Sequence, residues 1–178
     1  VAVSASLTGD FAALGRLIRA ARHLATPQGR AGVVKAAAWG ALSALEERFA
    51  TATDPKGRPW KPSFRAQLEG GQTLSDTGRL RRSFSVRATG PWGFTVGTNV
   101  RYAAPHQFGA TIVPRRARYL RFRLAGGRGR RKGGKGRWVT AARVDLPARP
   151  FFPEGNDLDR YAPHMAEAIQ AYLRRTLG

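Results

Sequence analysis

Apolar positions recur at helical spacing towards both ends of the chain and at strand spacing in its middle. Phe11, Leu14, Leu17, Ile18 and Ala21 share one helical face while Arg16, Arg19 and Arg22 fall elsewhere, and Asp10 is placed to cap that helix. Thr26-Pro27 breaks it. Pro27 is tolerated in a first turn, so a second amphipathic helix is predicted from there, with Val33, Val34, Ala37, Ala41, Leu42, Leu45 and Phe49 as its stripe and its end near Ala50. Gly32 and Gly40 either weaken this helix or permit close packing.

Residues 53–63, with three prolines and a glycine, must form a loop, in which Trp60 is expected to pack back on the core. Leu74 to Leu80 predicts a capped helical turn, with Asp76 or Thr77 as the cap, leading through Ser83 into a strand. Ser83 to Ala88 and Phe94 to Thr98 then read as a hairpin around Thr89-Gly90-Pro91-Trp92-Gly93. His106 to Gly109 follows a predicted strand with Tyr102 and Pro105 and reads as a turn in which Gly109 supplies backbone freedom and Phe108 an anchor. Thr111 to Val113, Tyr119 to Leu124 and Trp138 to Val144 carry further strand patterns. Pro147 to Phe152 is a rigid extended exit that places two aromatics before the last helix. Asn156 or Asp157 can cap that helix, whose buried side is Leu158, Tyr161, Met165, Ile169, Tyr172 and Leu173; Pro163 moves the expected start nearer Ala162.

The elements sum to an α+β fold: an antiparallel sheet of about four strands, packed by the long N-terminal helices and the C-terminal helix. Neither an internal repeat nor a domain boundary interrupts the 178 residues, so a single domain over 1–178 is expected. A hydrophobic fraction of 42% and a charged fraction of 24% suit an ordered globular chain.

Charge changes the picture. The net charge is +20, and 26 of the 31 basic residues are arginine, which pairs in bidentate fashion with phosphate or carboxylate. From Arg79 to Arg149 there are 18 basic residues against one acid, Asp145. Within that region residues 126–137 form a run of glycine and cations that cannot bury side chains, and about 125–137 reads as a mobile hairpin tip. Its Arg128, Arg130, Arg131, Lys132, Lys135 and Arg137 are candidates for contact with DNA phosphates or with an acidic protein neighbour.

Candidate chemistry is sparse. With no cysteine there is no disulfide, thiol nucleophile or thiolate metal site, which suits folding in a reducing compartment. His23, His106 and His164 show no paired ligand spacing, so no metal is expected. Glu46-Glu47 and Asp157-x-Asp159 fall at helix ends or solvent faces. Ser75-Asp76-Thr77-Gly78 lacks the glycines of a nucleophile elbow, and the glycine-rich run lacks the Gly-Lys-Ser/Thr ending of a phosphate loop. No catalytic residue and no cofactor are therefore expected. No stretch reaches the ~20 apolar residues of a membrane span, and the first residues lack the order of a signal peptide, so the chain is expected to be soluble and cytoplasmic when made.

Five short motifs occur in order: Asp54-Pro55-Lys56-Gly57-Arg58-Pro59-Trp60; Leu74-Ser75-Asp76-Thr77-Gly78-Arg79-Leu80-Arg81-Arg82-Ser83; Val96-Gly97-Thr98; Tyr102 to Gly109; and Pro147-Ala148-Arg149-Pro150-Phe151. In this order the chain resembles the bacteriophage virion morphogenesis (tail completion) family, known from Mu-like and related phages, and is similar to neck proteins of long-tailed phages. The resemblance covers about residues 45 to 175 and brings no catalytic residues. It implies a structural virion protein of the neck or tail end that completes or terminates the tail and mediates head-tail joining as a homo-oligomeric, hexameric ring. The implied partners are the tail tube or terminator, the head-tail connector proteins and packaged DNA in the lumen, with no membrane; the implied location is the virion, after assembly in the host cytoplasm. Trp60, His106, Gln107, Phe108, Arg149, Phe151 and Phe152, within or beside these motifs, are candidates for an assembly interface or a structural joint.

Charge alone also fits a non-viral, sequence-indifferent nucleic-acid-binding protein, which would be monomeric with a steep salt dependence. A virion hydrolase is disfavoured because no site for one is visible.

Overall fold

The computed structural model describes residues 11–124, 137–154 and 159–177. Helix α1 (Phe11–Ala25) runs into α2 (Pro27–Thr51), and the junction is set locally. The Thr26 side chain accepts a hydrogen bond from the Gly29 N–H at 3.0 Å, and Pro27 occupies the first turn, where its missing N–H costs nothing. Asp10, expected as the cap of α1, lies outside the described residues. Helix α2 ends where Ala52 adopts a left-handed conformation and its N–H reaches the Arg48 carbonyl.

The core is built round α2. Val34, Ala38, Ala41, Ala44, Leu45 and Phe49 are buried, and α5 (Ala162–Leu177) packs along one side of it while the hairpin of β1 (Phe84–Gly90) and β2 (Gly93–Thr98) covers another. The β1–β2 register pairs Phe84 with Thr98 and Val86 with Val96, which turns Phe84, Val86, Phe94 and Val96 to the inner side. Phe49 sits among Trp60, Phe84 and Phe151, with ring centroids 5.4 to 5.7 Å apart.

The alternatives left open for Gly32 and Gly40 resolve as close packing. A Cβ on Gly40 would stand 2.5 Å from the His164 carbonyl oxygen and 2.6 Å from the Met165 Cα, and one on Gly32 would collide with the Tyr172 ring and hydroxyl. Both neighbours of Gly40 are backbone, so they cannot swing away. Gly40→Ala is therefore expected to force α2 and α5 apart at a cost of about 1–3 kcal/mol. Gly97→Ala, where a Cβ meets nothing within 4 Å, should be neutral or slightly stabilising. Urea denaturation of the two variants checks the contrast, and equal midpoints would refute it.

The α+β class holds, but the strands are not joined in one sheet. Among the described residues six strands form three separate antiparallel ladders: β1 with β2, β3 (Ala110–Ile112) with β6 (Val144–Leu146), and β4 (Leu120–Leu124) with β5 (Arg137–Ala141). The expected strand from Trp138 to Val144 divides in two, so that its second part can leave the ribbon and pair with β3.

Three local expectations also change. The Leu74–Leu80 segment is irregular, with Leu74 at φ +61° and Gly78 at +70°, and the helical turn falls later, as a single 3-10 turn at Arg81–Ser83 without a side-chain cap. Where a strand with Tyr102 and Pro105 and a turn over His106–Gly109 were expected, the chain forms a short helix, α4 (Ala103–Phe108). Pro105 permits it because the N–H of a first-turn residue has no intrahelical acceptor. Phe108 is no anchor: it stands 70% exposed. A further short helix, α3 (Phe64–Glu69), is capped by Ser63, whose hydroxyl accepts from the Ala66 N–H. The last helix starts at Ala162, with Met165, Ile169, Tyr172 and Leu173 half-buried; Leu158, Asn156 and Asp157 lie outside the described residues.

Candidate assembly site

The loop after α2, helix α4 and the exit from β6 meet in one buried joint. Asp54 holds the loop: its carboxylate accepts from the Arg58 backbone N–H at 2.8 Å and from Arg58 Nε at 2.7 Å. Burial raises this carboxyl, but the hydrogen bonds and charge of Arg58 and the Lys56 N–H together outweigh it and leave the pKa below the ordinary aspartate value. Trp60 is thereby swung into the core, where its indole N–H donates to the Pro150 carbonyl at 2.8 Å.

Gln107 is the pivot. Its Oε1 accepts from the backbone N–H groups of Phe151 and Phe152, both at 3.0 Å, and its Nε2 donates to the Phe152 carbonyl and to Glu154, both at 3.1 Å. One buried amide thus completes a segment whose prolines prevent strand pairing. Arg149, also buried, donates from Nε to the Lys61 carbonyl at 2.7 Å, and its backbone N–H donates to the His106 carbonyl at 2.7 Å. Gly109, at φ +77°, lets the chain pass close to Ala148 and Leu146, where a Cβ would be 3.1 Å away. Tyr161 closes the joint by donating to the Phe151 carbonyl at 2.6 Å, and burial, opposed by Arg48 and aided by Glu47, pushes its hydroxyl up to about 12.

The structure brings Trp60, His106, Gln107, Arg149, Phe151 and Phe152 together, and the burial of Trp60, Gln107, Arg149 and Phe151 places them inside one chain rather than on its surface. Phe108 stays exposed, on the wall of a hollow that Gln107, Phe151 and Phe152 also line. Of the six basic candidates, Arg128, Arg130, Arg131, Lys132 and Lys135 lie outside the described residues, and Arg137 opens β5.

His106 borders a hollow of about 290 Å³ shared with Arg65, Asp76, Thr77, Arg79 and Tyr102. Its Nδ1 is buried without a hydrogen-bond partner, and burial, reinforced by the positive charge of Arg149, holds the imidazole below its ordinary value. The unfolded chain then binds the proton more readily than the folded one, so the stability carried by neutral His106 is present above about pH 6.5 and lost as pH falls through that value. Denaturation at about pH 7.5 and about pH 5.5 should show a smaller acid-induced loss in His106→Gln than in the wild type. Identical losses would refute the assignment.

Sequence reasoning missed the apolar groove between α2 and the β1–β2 hairpin. It has a volume of about 530 Å³ and is lined by Val34, Ala38, Trp39, Val86 and Phe94, with Arg30 and Lys35 also at its walls. Trp39 is 60% exposed and Trp92, beneath the Arg30 guanidinium at 5.9 Å, is 63% exposed. A signal was present: Trp39 is an aromatic that falls off the buried stripe of α2.

Among the described residues no group of three His, Asp or Glu side chains could hold a metal ion, and no helix is long and apolar enough to cross a membrane. A family model described as the phage virion morphogenesis family matches residues 12–177. No curated protein and no solved structure matches the chain.

Proposed function

Because the chain belongs to the phage virion morphogenesis family, and so to the structural proteins with which phage particles are built, we propose that it acts at the neck, completing the tail and joining it to the head as a homo-oligomeric, hexameric ring. The observation that carries this reading is the apolar groove at Trp39, uncovered among the described residues, beside a similarly exposed Trp92. Soluble monomers seldom leave contiguous apolar surface of that kind in water. A ring repeats one heterologous contact until it closes, and the groove supplies one half of such a contact. The buried joint supplies stiffness: Gln107, Arg149 and Trp60 tie α4, the loop and the β6 exit into one body, so that a contact on one face has a fixed geometry relative to the others. Its partners in this reading are the tail tube or terminator and the connector proteins, and it works by contact rather than catalysis.

Mass determination of nuclease-treated protein at two salt concentrations, with and without isolated tail tubes, tests the proposal. Rings or capture on tube ends are expected, and Trp39→Glu should abolish them while leaving the fold intact, since the side chain is mostly exposed. A wild-type chain that stays monomeric and ignores tubes, but binds DNA with a steep salt slope, would overturn the reading in favour of a nucleic-acid-binding protein.

A further inference from the structure

The β4–β5 ribbon stands apart from the core. Leu120 pairs with Ala141, Arg121 with Thr140, Phe122 with Val139 and Arg123 with Trp138, and among the described residues neither strand packs extensively on another element. Strand alternation sorts its residues by face: Leu120, Phe122, Val139 and Ala141 are half-buried on one side, while Arg121, Arg123, Trp138 and Thr140 are exposed on the other. The Arg121 guanidinium lies 4.7 Å from the Trp138 ring centroid, and Trp138 itself is 56% exposed. This cation–π contact restrains the guanidinium without using its hydrogen-bond donors. Arg115, Arg116 and Arg118 are exposed on the approach to β4, and Arg118 lies over the Tyr119 ring at 5.4 Å. No acidic residue occurs from 77 to 144.

We infer that the Arg121, Arg123, Trp138 and Thr140 face of this ribbon is a sequence-indifferent contact surface for the phosphate backbone of duplex DNA. Three features favour DNA over an acidic protein surface. A two-stranded ribbon is narrow enough to lie along the rim of a major groove about 12 Å wide, where the phosphates stand. Arg121 and Arg123, two strand residues apart and so roughly 6.8 Å from one another along one edge, present cations at a spacing suited to successive phosphates. The face also lacks the broad apolar centre on which protein interfaces are built. The inference adds to the neck reading and rests on it only for the source of the DNA, the genome passing through the ring.

The test uses the intact chain and a mixed-sequence duplex of about 25 base pairs, long enough to span two helical turns, with affinity followed by fluorescence anisotropy across salt concentrations. Arg121→Gln/Arg123→Gln should weaken binding at least about tenfold near 0.1 M salt and lower the slope of log K against log salt by about 1.8, the loss of two phosphate contacts. The charge-matched Arg174→Gln/Arg175→Gln, on exposed positions of α5, should leave the slope unchanged. Trp138→Phe should remove most of the DNA-induced change in tryptophan fluorescence. Equal losses in both arginine pairs would mean diffuse attraction and overturn the inference, as would unchanged binding in Arg121→Gln/Arg123→Gln. Loss of tail-tube capture by that variant with DNA binding intact would assign the face to an acidic protein and overturn it too. Ring formation measured on the same variant keeps the two readings separate, because it should persist whether or not DNA binding is lost.

Discussion

Phe49→Ala is expected to destabilise the protein by about 4 kcal/mol, within the range for a large core aromatic truncated to alanine. Phe49 is 0% exposed, and three aromatic rings close on it from the loop, the hairpin and the β6 exit, each within 5.7 Å. The elements that would have to collapse into the cavity are tied to one another by the Trp60–Pro150 and Gln107–Phe151 hydrogen bonds, so relaxation is limited and the cavity term is retained. For a domain of this size the loss corresponds to a melting temperature lower by roughly 10 °C. Phe108→Ala removes the same atoms from a side chain that is mostly in water and should change stability by less than about 0.5 kcal/mol. Similar melting temperatures for the two variants would contradict the assignment of the core.

Gln107→Leu is expected to cost about 3 kcal/mol although it replaces a polar side chain with an apolar one of similar size. The substitution removes the Oε1 acceptor together with the Nε2 donor and leaves the Phe151 and Phe152 N–H groups, at least one of them fully buried, without a partner. An orphaned buried donor costs about 1–3 kcal/mol, whereas burial of the extra apolar surface returns less because Gln107 is already packed. Gln107→Glu separates the two halves of the amide. Its carboxylate can still accept from both N–H groups, but it loses the donor to the Phe152 carbonyl and faces Glu154 at the distance where Nε2 now donates. The glutamate variant should therefore be less stable than wild type at neutral pH and recover part of the deficit on mild acidification, as its carboxyl becomes protonated and donates again. A leucine variant as stable as wild type, or a glutamate variant with wild-type pH dependence, would show that the amide is not the pivot.

The long helices could be read from local pattern because their determinants are local. Thr26 and Pro27 end one helix and begin the next within two residues, and the 3.6-residue repeat of Val34, Ala41, Leu45 and Phe49 identifies the buried side of α2 without reference to what covers it. The β1–β2 hairpin was legible for the same reason, since its turn carries the glycines and proline that reverse the chain. Helix α4 was not, because Pro105 looks like a turn former unless it is known to occupy a first helical turn. The division of strands among three ladders was not legible either. Thr111 meets Asp145 across 34 residues, and no periodicity in either segment specifies that pairing over its rivals.

The candidate site divides along the same line. The motif order placed the chain near its family, and the charge pattern marked the middle of the chain as cationic, since both depend only on the identity and sequence of residues. Whether Trp60, Gln107 and Arg149 face a partner or the interior depends on which backbone groups lack hydrogen bonds once the chain has folded. Those groups belong to Pro150, Phe151, Phe152, Lys61 and Pro62, and the proline-rich segments that carry them cannot satisfy one another locally. Helix phase, the break at Thr26-Pro27, the β1–β2 turn and net charge were thus determined by the sequence itself, through forces acting over a few residues. Burial of the polar joint, exposure of Trp39 and the gathering of Arg121, Arg123 and Trp138 on one face were decided only by tertiary structure, because each requires residues from distant segments to compete for the same space or the same hydrogen bond.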